Sequence, residues 1–321
     1  MPYLALLGVG KLNKAELVFK AIDVLGHAPQ NAKSFEGITC IKDVPYGAEH
    51  LQKGDLYFKP ELVSKNEKNP VVLYIHGGGF IKGDKKHRVT VSEYYANEGC
   101  YVFRINYRLP LEVDIIGQIS DCIDALNYIE MLAQDYNLDL NNIFITGDSS
   151  GSCQTTFLAA NRFDDDLRKK LGCPEIKVDI KGLMLMSGIY DVEALVRHKK
   201  LFGVIPQATE MILNFKLKRD LSNFNEYEFF DYMSPSKFVN EKWCPVFISW
   251  AQDDLFCKGQ GEVLCETLKA NISDVSTFSA KGLLNNHCYH LFLGSNKYAE
   301  ECMKKSVEFL KRVSALELQT K

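Results

Sequence analysis

The chain predicts an α/β fold: a mainly parallel central sheet of about eight strands, helices on both faces and a helical cap. Three observations carry that expectation. Short apolar runs alternate with segments of helical periodicity, the pattern of successive β-α-β units. The inner runs, 71–76, 143–147, 182–187 and 246–251, are almost continuously hydrophobic, as strands covered on both faces must be. One of them, Ile143-Phe144-Ile145-Thr146, leads straight into Gly147-Asp148-Ser149-Ser150-Gly151 and then into helical sequence. That strand, turn and helix would hold Ser149 on a tight turn at the top edge of the sheet.

In chain order, strands are expected at 39–46, 55–59, 71–76, 101–107, 143–147, 182–187, 246–251 and 274–279. The first two, around Lys42 and Tyr57, read as an antiparallel edge. Helices are expected where apolar side chains recur every three to four residues. Residues 118–134 do this with Ile119, Ile123, Leu126, Ile129 and Leu132. Residues 150–162 follow the serine, and 260–271 and 297–312 are amphipathic, as is the stretch from Lys11 to Leu17. Between Gly188 and Cys244 runs a long insertion with no good strand, carrying Val204, Ile205, Met211, Ile212, Phe215 and Leu217. An insertion at the C-terminal edge of a parallel sheet lies where ligands bind. Segments 1–35 and 189–235 are therefore expected to form a cap on a single domain spanning 1–321, because the residues suited to chemistry run from 76 to 287.

Composition excludes several classes. With 46% hydrophobic and 25% charged residues in 321, the chain has ample material for a large core. A net charge of −3 gives no sign of a nucleic-acid partner. The basic runs Lys85-Lys86-His87-Arg88 and His198-Lys199-Lys200 are short and are expected as solvated loops or helix ends. Ten cysteines are scattered without a C-x-x-C pair or a Cys/His cluster of metal-ligating spacing. They read as reduced thiols of a cytoplasmic protein with no metal and no cofactor. Cys153 and Cys288 lie near the candidate residues, and packing is the simpler account of both. The apolar start, Met1 to Gly10, has no preceding positive charge and no convincing cleavage site, so a signal peptide is not expected. No run approaches the ~20 apolar residues that span a bilayer.

Acyl transfer by serine needs a nucleophile, a base, a carboxylate to orient the base, and N–H donors for the oxyanion. Ser149 is the candidate nucleophile. The run Val71 to Ile75 enters His76-Gly77-Gly78-Gly79-Phe80, whose glycines would let the backbone approach a substrate. The N–H groups of Gly78, Gly79 and Ser150 are the candidate oxyanion hole, worth about 3–4 kcal/mol each in the transition state. His76 is expected to hydrogen-bond within its loop. Late in the chain, Asn286-His287-Cys288-Tyr289-His290-Leu291-Phe292 offers two histidines. His287, nearer the strand end, is the expected base and His290 a packed or partly exposed neighbour. Asp253 and Asp254 follow the strand 246–251, and their side chains should diverge, so only one can face the histidine. Asp254 is chosen.

These residues resemble the hormone-sensitive-lipase-like branch of the α/β-hydrolases, including bacterial carboxylesterases and kynurenine formamidase-like hydrolases. The chain order Ser, Asp, His is that of the α/β-hydrolases. The likeness covers roughly residues 39–312. H-G-G-G-F at 76, Asn106-Tyr107-Arg108-Leu109, G-D-S-S-G at 147 and N-H-C-Y-H-L-F at 286 fall in family order. Asp43-Val44-Pro45-Tyr46-Gly47, Asp55 to Pro60 and Ser234-Pro235 add to it. The resemblance implies His287 as the base and favours Asp254, although aligning Leu255 and Gly259 instead would favour Asp253. It implies that Asp148 supports its loop rather than performing chemistry. Ser150 and Ser152 stand where Ala and Gly are usual, and Pro110-Leu111 replaces Ala-Pro. The expected function is hydrolysis of small carboxylic esters, with short or medium acyl chains or aryl groups, through an acyl-enzyme. Two alternatives stay open: an arylformamidase, and a non-catalytic ligand-binding protein on the same fold. A small-molecule ester is the expected partner, and self-association as a homodimer is left open.

Overall fold

A computed structural model describes residues 13–64, 68–197, 203–282 and 285–315. The start of the chain and the run at 198–200 lie outside the described residues. The strands are β1 (Thr39–Pro45), β2 (Lys53–Phe58), β3 (Asn69–Ile75), β4 (Tyr101–Ile105), β5 (Leu138–Asp148), β6 (Gly182–Met186), β7 (Val246–Ala251) and β8 (Val275–Ala280). They form one sheet in the order β1-β2-β4-β3-β5-β6-β7-β8. The pairs β1–β2 and β2–β4 are antiparallel, and every pair from β4 through β8 is parallel. The antiparallel edge thus falls on the two strands where the sequence put it, and the apolar inner runs are interior strands.

The helices are α1 (Lys14–Gln30), α2 (Glu61–Ser64), α3 (Val89–Asn97), α4 (Ile115–Leu132), α5 (Ser150–Phe163), α6 (Asp165–Leu171), α7 (Val192–Arg197), α8 (Val204–Leu213), α9 (Gln260–Asn271) and α10 (Lys297–Ser314). Alternation along each strand splits the core into two layers. Val71, Leu73 and Ile75 of β3 pack with α4 and α5 on one face. Val72 and Tyr74 pack with Tyr95 of α3 and Met303 and Leu310 of α10 on the other. The first N–H groups of a helix have no partner within it and are met by cap side chains. Asp114 and Asn296 supply them, accepting from the N–H groups of Gly117 and Tyr298 at the starts of α4 and α10. All ten cysteines carry free thiols, and all but Cys40 are buried.

The run 85–88 corrects an expectation. It is a 3-10 turn rather than a solvated loop: Lys85, His87 and Arg88 are only 8, 7 and 7% exposed. Burying such charges requires partners. Lys85 Nζ pairs with Asp55 and lies 2.9 Å from Asp43, and Arg88 forks onto Asp148.

Candidate active site

The loops that follow β3, β5, β7 and β8 gather at the C-terminal edge of the parallel strands, where such sheets bind ligands. Ser149 is the only residue between β5 and α5, and it carries φ 53° and ψ −119°. That conformation is strained for a residue with a side chain, and it lifts Oγ off the sheet. Small neighbours make the turn possible. A Cβ on Gly151 would collide with the carbonyl oxygen of Ile75 on the adjacent strand. The Ser149 N–H is tied to the Met186 carbonyl at 3.0 Å, and its carbonyl accepts from the Ser152 and Cys153 N–H groups in the first turn of α5.

Ser149 Oγ and His287 Nε2 are 2.8 Å apart, and His287 Nδ1 lies 2.8 Å from Asp254 Oδ2. The other Asp254 oxygen accepts from the N–H groups of Phe256 and Cys257, each at 2.7 Å. Asp253, adjacent in sequence, is exposed, and its carbonyl accepts from the Asn286 side chain. Of the two acids, then, Asp254 faces the histidine. Burial alone would raise the Asp254 carboxyl, but His287 and the two backbone N–H groups outweigh it, so its pKa is lowered. Burial disfavours the His287 imidazolium, and the neighbouring Cys288 sulfur and the Asp254 carboxylate favour it, so His287 is raised well above its ordinary value. Cys288 is itself pushed up by burial and is a neutral thiol at neutral pH, which leaves Asp254 as the charge that acts there. The Phe256 ring closes over the imidazole, with centroids 5.1 Å apart.

The glycine loop lies beside the serine. Gly78 has φ +139° and Gly79 φ +62°. A Cβ on Gly78 would strike the carbonyl of Lys82, whose N–H closes the loop back onto Gly78 O at 3.0 Å. Both glycines line the cavity with Ser149 and His287, and Ser150 opens α5 immediately behind. His76 points away: its Nδ1 lies 2.8 Å from Gly77 O, its ring stacks on Tyr107, and burial lowers it to about 4. His290 is also buried rather than partly exposed, and is lowered to about 4 by that burial.

Asp148 sits under the Ser149 turn with no exposed surface. Arg88 donates to it through Nε at 2.8 Å and Nη2 at 2.7 Å, and Tyr74 Oη donates at 3.1 Å. Burial would raise this carboxyl, but the Arg88 guanidinium beside it holds it down at about 2. The Arg88 partnership was not legible in the sequence, because sixty positions separate the two residues and no local signal joins them.

Above the loops lies a cavity of about 400 Å³. Its walls are mainly apolar: Phe19 and Ile22 from α1, Val192 and Leu195 from α7, Ile205 and Ile212 from α8, and Phe256. Helix α1 is fixed over the loops by a polar stripe. Glu16 pairs with Lys82 at 3.1 Å, Asp23 accepts from Gly83 N–H, Gln30 accepts from Arg88, and Asn31 bonds the backbone at 86 and 89. Against α8, the Ala15 N–H donates to Gln207 at 3.0 Å. The three side chains Asp254, Cys257 and His287 also bring metal-ligating atoms within 4.8 Å of one another, but the first and third are already engaged with each other. Among the described residues, no helix is long and apolar enough to cross a membrane.

Solved structures share this architecture. Esterase B from Lactobacillus rhamnosis aligns with a TM-score of 0.80 at 20% identity, over 94% of each chain. An esterase from Pyrobaculum calidifontis aligns at 0.70 and 17%, again over 94% of each. A bacterial heroin esterase aligns at 0.70 and 18%, over 94% of this chain and 92% of that one. At such identities the likeness speaks to the fold, which is that of the α/β-hydrolases. Alpha/beta hydrolase R526 of Acanthamoeba polyphaga mimivirus is 44% identical over 91 residues, a stretch covering 28% of this chain and only 26% of that protein. The model of the BD-FAE family matches residues 55–268, well over half of the chain, and the protein belongs to that family within the α/β-hydrolase class.

Proposed function

We propose that this chain is a serine hydrolase of small carboxylic esters, working through an acyl-enzyme. The observation that carries the reading is the continuous relay from Ser149 through His287 to Asp254 at the floor of an apolar cavity. Neutral His287 accepts the Ser149 proton at Nε2 as Oγ attacks the acyl carbon. Asp254 holds the Nδ1 proton in place and stabilises the imidazolium that forms. The N–H groups of Gly78, Gly79 and Ser150 receive the oxyanion. His287 then protonates the leaving alcohol, and water repeats the sequence to release the acid.

The same reading takes residues 1–321 as one catalytic domain, with segments 1–35 and 189–235 as its cap. A cavity of about 400 Å³ suits a small substrate.

The test is turnover of p-nitrophenyl esters from acetate to laurate, with N-formylkynurenine alongside, before and after fluorophosphonate treatment. Ester turnover abolished by labelling at Ser149 is the expected result. Labelling with fast deformylation and no ester turnover would make the chain an arylformamidase. A folded protein that does not label at all would be a binding protein rather than a hydrolase.

A further inference from the structure

The relay leaves part of the cavity wall unused. Besides His287, three charged side chains reach its wall: Asp23, Arg88 and Asp148. Arg88 is held by other partners. Its Nε and Nη2 bind Asp148, and its Nη1 donates to Gln30 at 2.9 Å and to the His87 carbonyl at 3.2 Å. Asp148 is neutralised by that fork.

Asp23 differs from both. It projects from α1, half-buried, and one oxygen accepts from the Gly83 N–H at 3.0 Å. Among the described residues, no lysine or arginine forms an ion pair with it, and its second oxygen has no hydrogen-bond partner. The neighbouring charges do not compensate for it. Lys82 is held by Glu16, and Lys86 lies near Asp84. His76 and His87 are lowered to about 4, chiefly by burial, and are neutral at pH 7. His27, on the same helix, faces His87, with their Nδ1 atoms 3.0 Å apart. Burial raises the Asp23 carboxyl, Arg88 and the Gly83 N–H lower it, and Asp148 and Asp84 raise it further. In the cavity wall one guanidinium therefore stands against two carboxylates, and the uncompensated one is Asp23.

A carboxylate in a mainly apolar wall is costly unless a partner meets it. Stapling α1 to Gly83 requires only one acceptor, which an uncharged side chain would supply. We propose that Asp23 is the specificity-determining residue of this cavity, and that its carboxylate receives an ammonium group carried by the substrate. The preferred esters then bear a cationic amine in addition to the scissile ester group. This deepens the esterase reading and rests on it.

The experiment is calorimetric titration of n-butyl- to n-octylammonium ions into the full chain, each paired with an alkyl methyl ether of equal heavy-atom count. Wild type, Asp23→Asn and Asp23→Glu are compared. Asn keeps an acceptor for the Gly83 N–H and removes only the charge. At the best chain length, wild type should bind the ammonium at least about tenfold more tightly than the ether, the scale of one hydrogen bond to a charged group. Asp23→Asn should erase that preference, and Asp23→Glu should retain part of it. Equal affinities in wild type, or a preference that survives in Asp23→Asn, would reduce Asp23 to a staple between α1 and Gly83. p-Nitrophenyl acetate turnover on the same preparations separates the two readings. Turnover without an ammonium preference sinks the Asp23 assignment alone. A preference without turnover sinks the esterase reading and leaves the subsite standing.

Discussion

Replacing Asp254 with Asn should lower kcat for p-nitrophenyl acetate about 10⁴-fold, or about 5.5 kcal/mol of transition-state stabilisation. The loss follows from a tautomer rather than from a lost charge alone. One carboxylate oxygen accepts from the N–H groups of Phe256 and Cys257, both at 2.7 Å, and the other meets His287 Nδ1 at 2.8 Å. An amide has only one acceptor oxygen. Turning its NH₂ toward two backbone donors would leave buried groups unsatisfied, at about 1–3 kcal/mol each. The oxygen therefore stays with Phe256 and Cys257, and the NH₂ turns toward Nδ1. His287 must then accept at Nδ1 and carry its proton on Nε2, pointing at Ser149. An imidazole in that tautomer cannot take the serine proton. The assay is steady-state kinetics of Asp254→Asn beside Asp253→Asn, with circular dichroism to confirm that both are folded. Asp253 is exposed, and its variant should stay within about twofold of wild type. The reasoning fails if folded Asp254→Asn keeps more than a tenth of the activity, or if Asp253→Asn suffers the larger loss.

Ser149→Ala should cost about 10⁴–10⁶ in kcat and abolish fluorophosphonate labelling, and near-normal turnover in that variant would rule out the mechanism. kcat/KM should fall on the acid side with a midpoint above 6.5, because neutral His287 is the working form and its pKa is raised; a limb well below 6.5 would contradict the pairing with Asp254. The same raised pKa stabilises the fold fully below 6.5 and ceases to do so as pH rises through the folded value. His76 and His290 act in the opposite direction. Their folded values of about 4 lie below the unfolded ~6.5, so protons favour the unfolded chain between those limits, and each should cost about 3 kcal/mol by pH 4. Urea titrations at pH 7 and pH 5 measure the combined slope, and a more stable protein at pH 5 would refute it. Asp148→Asn should destabilise by about 3–5 kcal/mol, since it leaves the Arg88 guanidinium buried without its counter-charge; a drop below about 1 kcal/mol in the same titration would show that the pair is not buried in solution.

Strand positions were legible because burial on both faces demands uninterrupted apolar runs, and 71–76, 182–187 and 246–251 fall on β3, β6 and β7 within two residues. β5 starts earlier than expected, at Leu138. Its first residues, Asp139-Leu140-Asn141-Asn142, lack the apolar run, and Leu138 pairs with Asn69 beyond a register shift. The serine turn and the glycine loop were legible for a related reason. A strained Ser149 and a positive-φ Gly78 leave marks in the small residues around them. The choice between Asp253 and Asp254 was only half legible. The strand end places both, but the turn that hands the Asp254 oxygen to two backbone N–H groups is set by residues 256 and 257 after it.

The basic run at 85–88 shows where one-dimensional reading fails. Charge in sequence suggests solvent, yet three of these four side chains are buried, each against a different part of the fold. Lys85 reaches Asp43 and Asp55 on the antiparallel edge, His87 meets His27 on α1, and Arg88 joins Asp148 beneath Ser149 to Gln30 on α1. Each partner is remote in sequence, so no spacing rule could have joined them. The arrangement also explains how α1, which walls the cavity with Phe19 and Ile22, is oriented relative to Ser149. The guanidinium that binds Asp148 beside the Ser149 turn also bonds α1, and neither contact can shift far without straining the other. The polar stripe at Glu16, Asp23 and Gln30 fixes the angle at which α1 crosses the loops. That angle turns Asp23 toward the cavity beside Phe19 and Ile22.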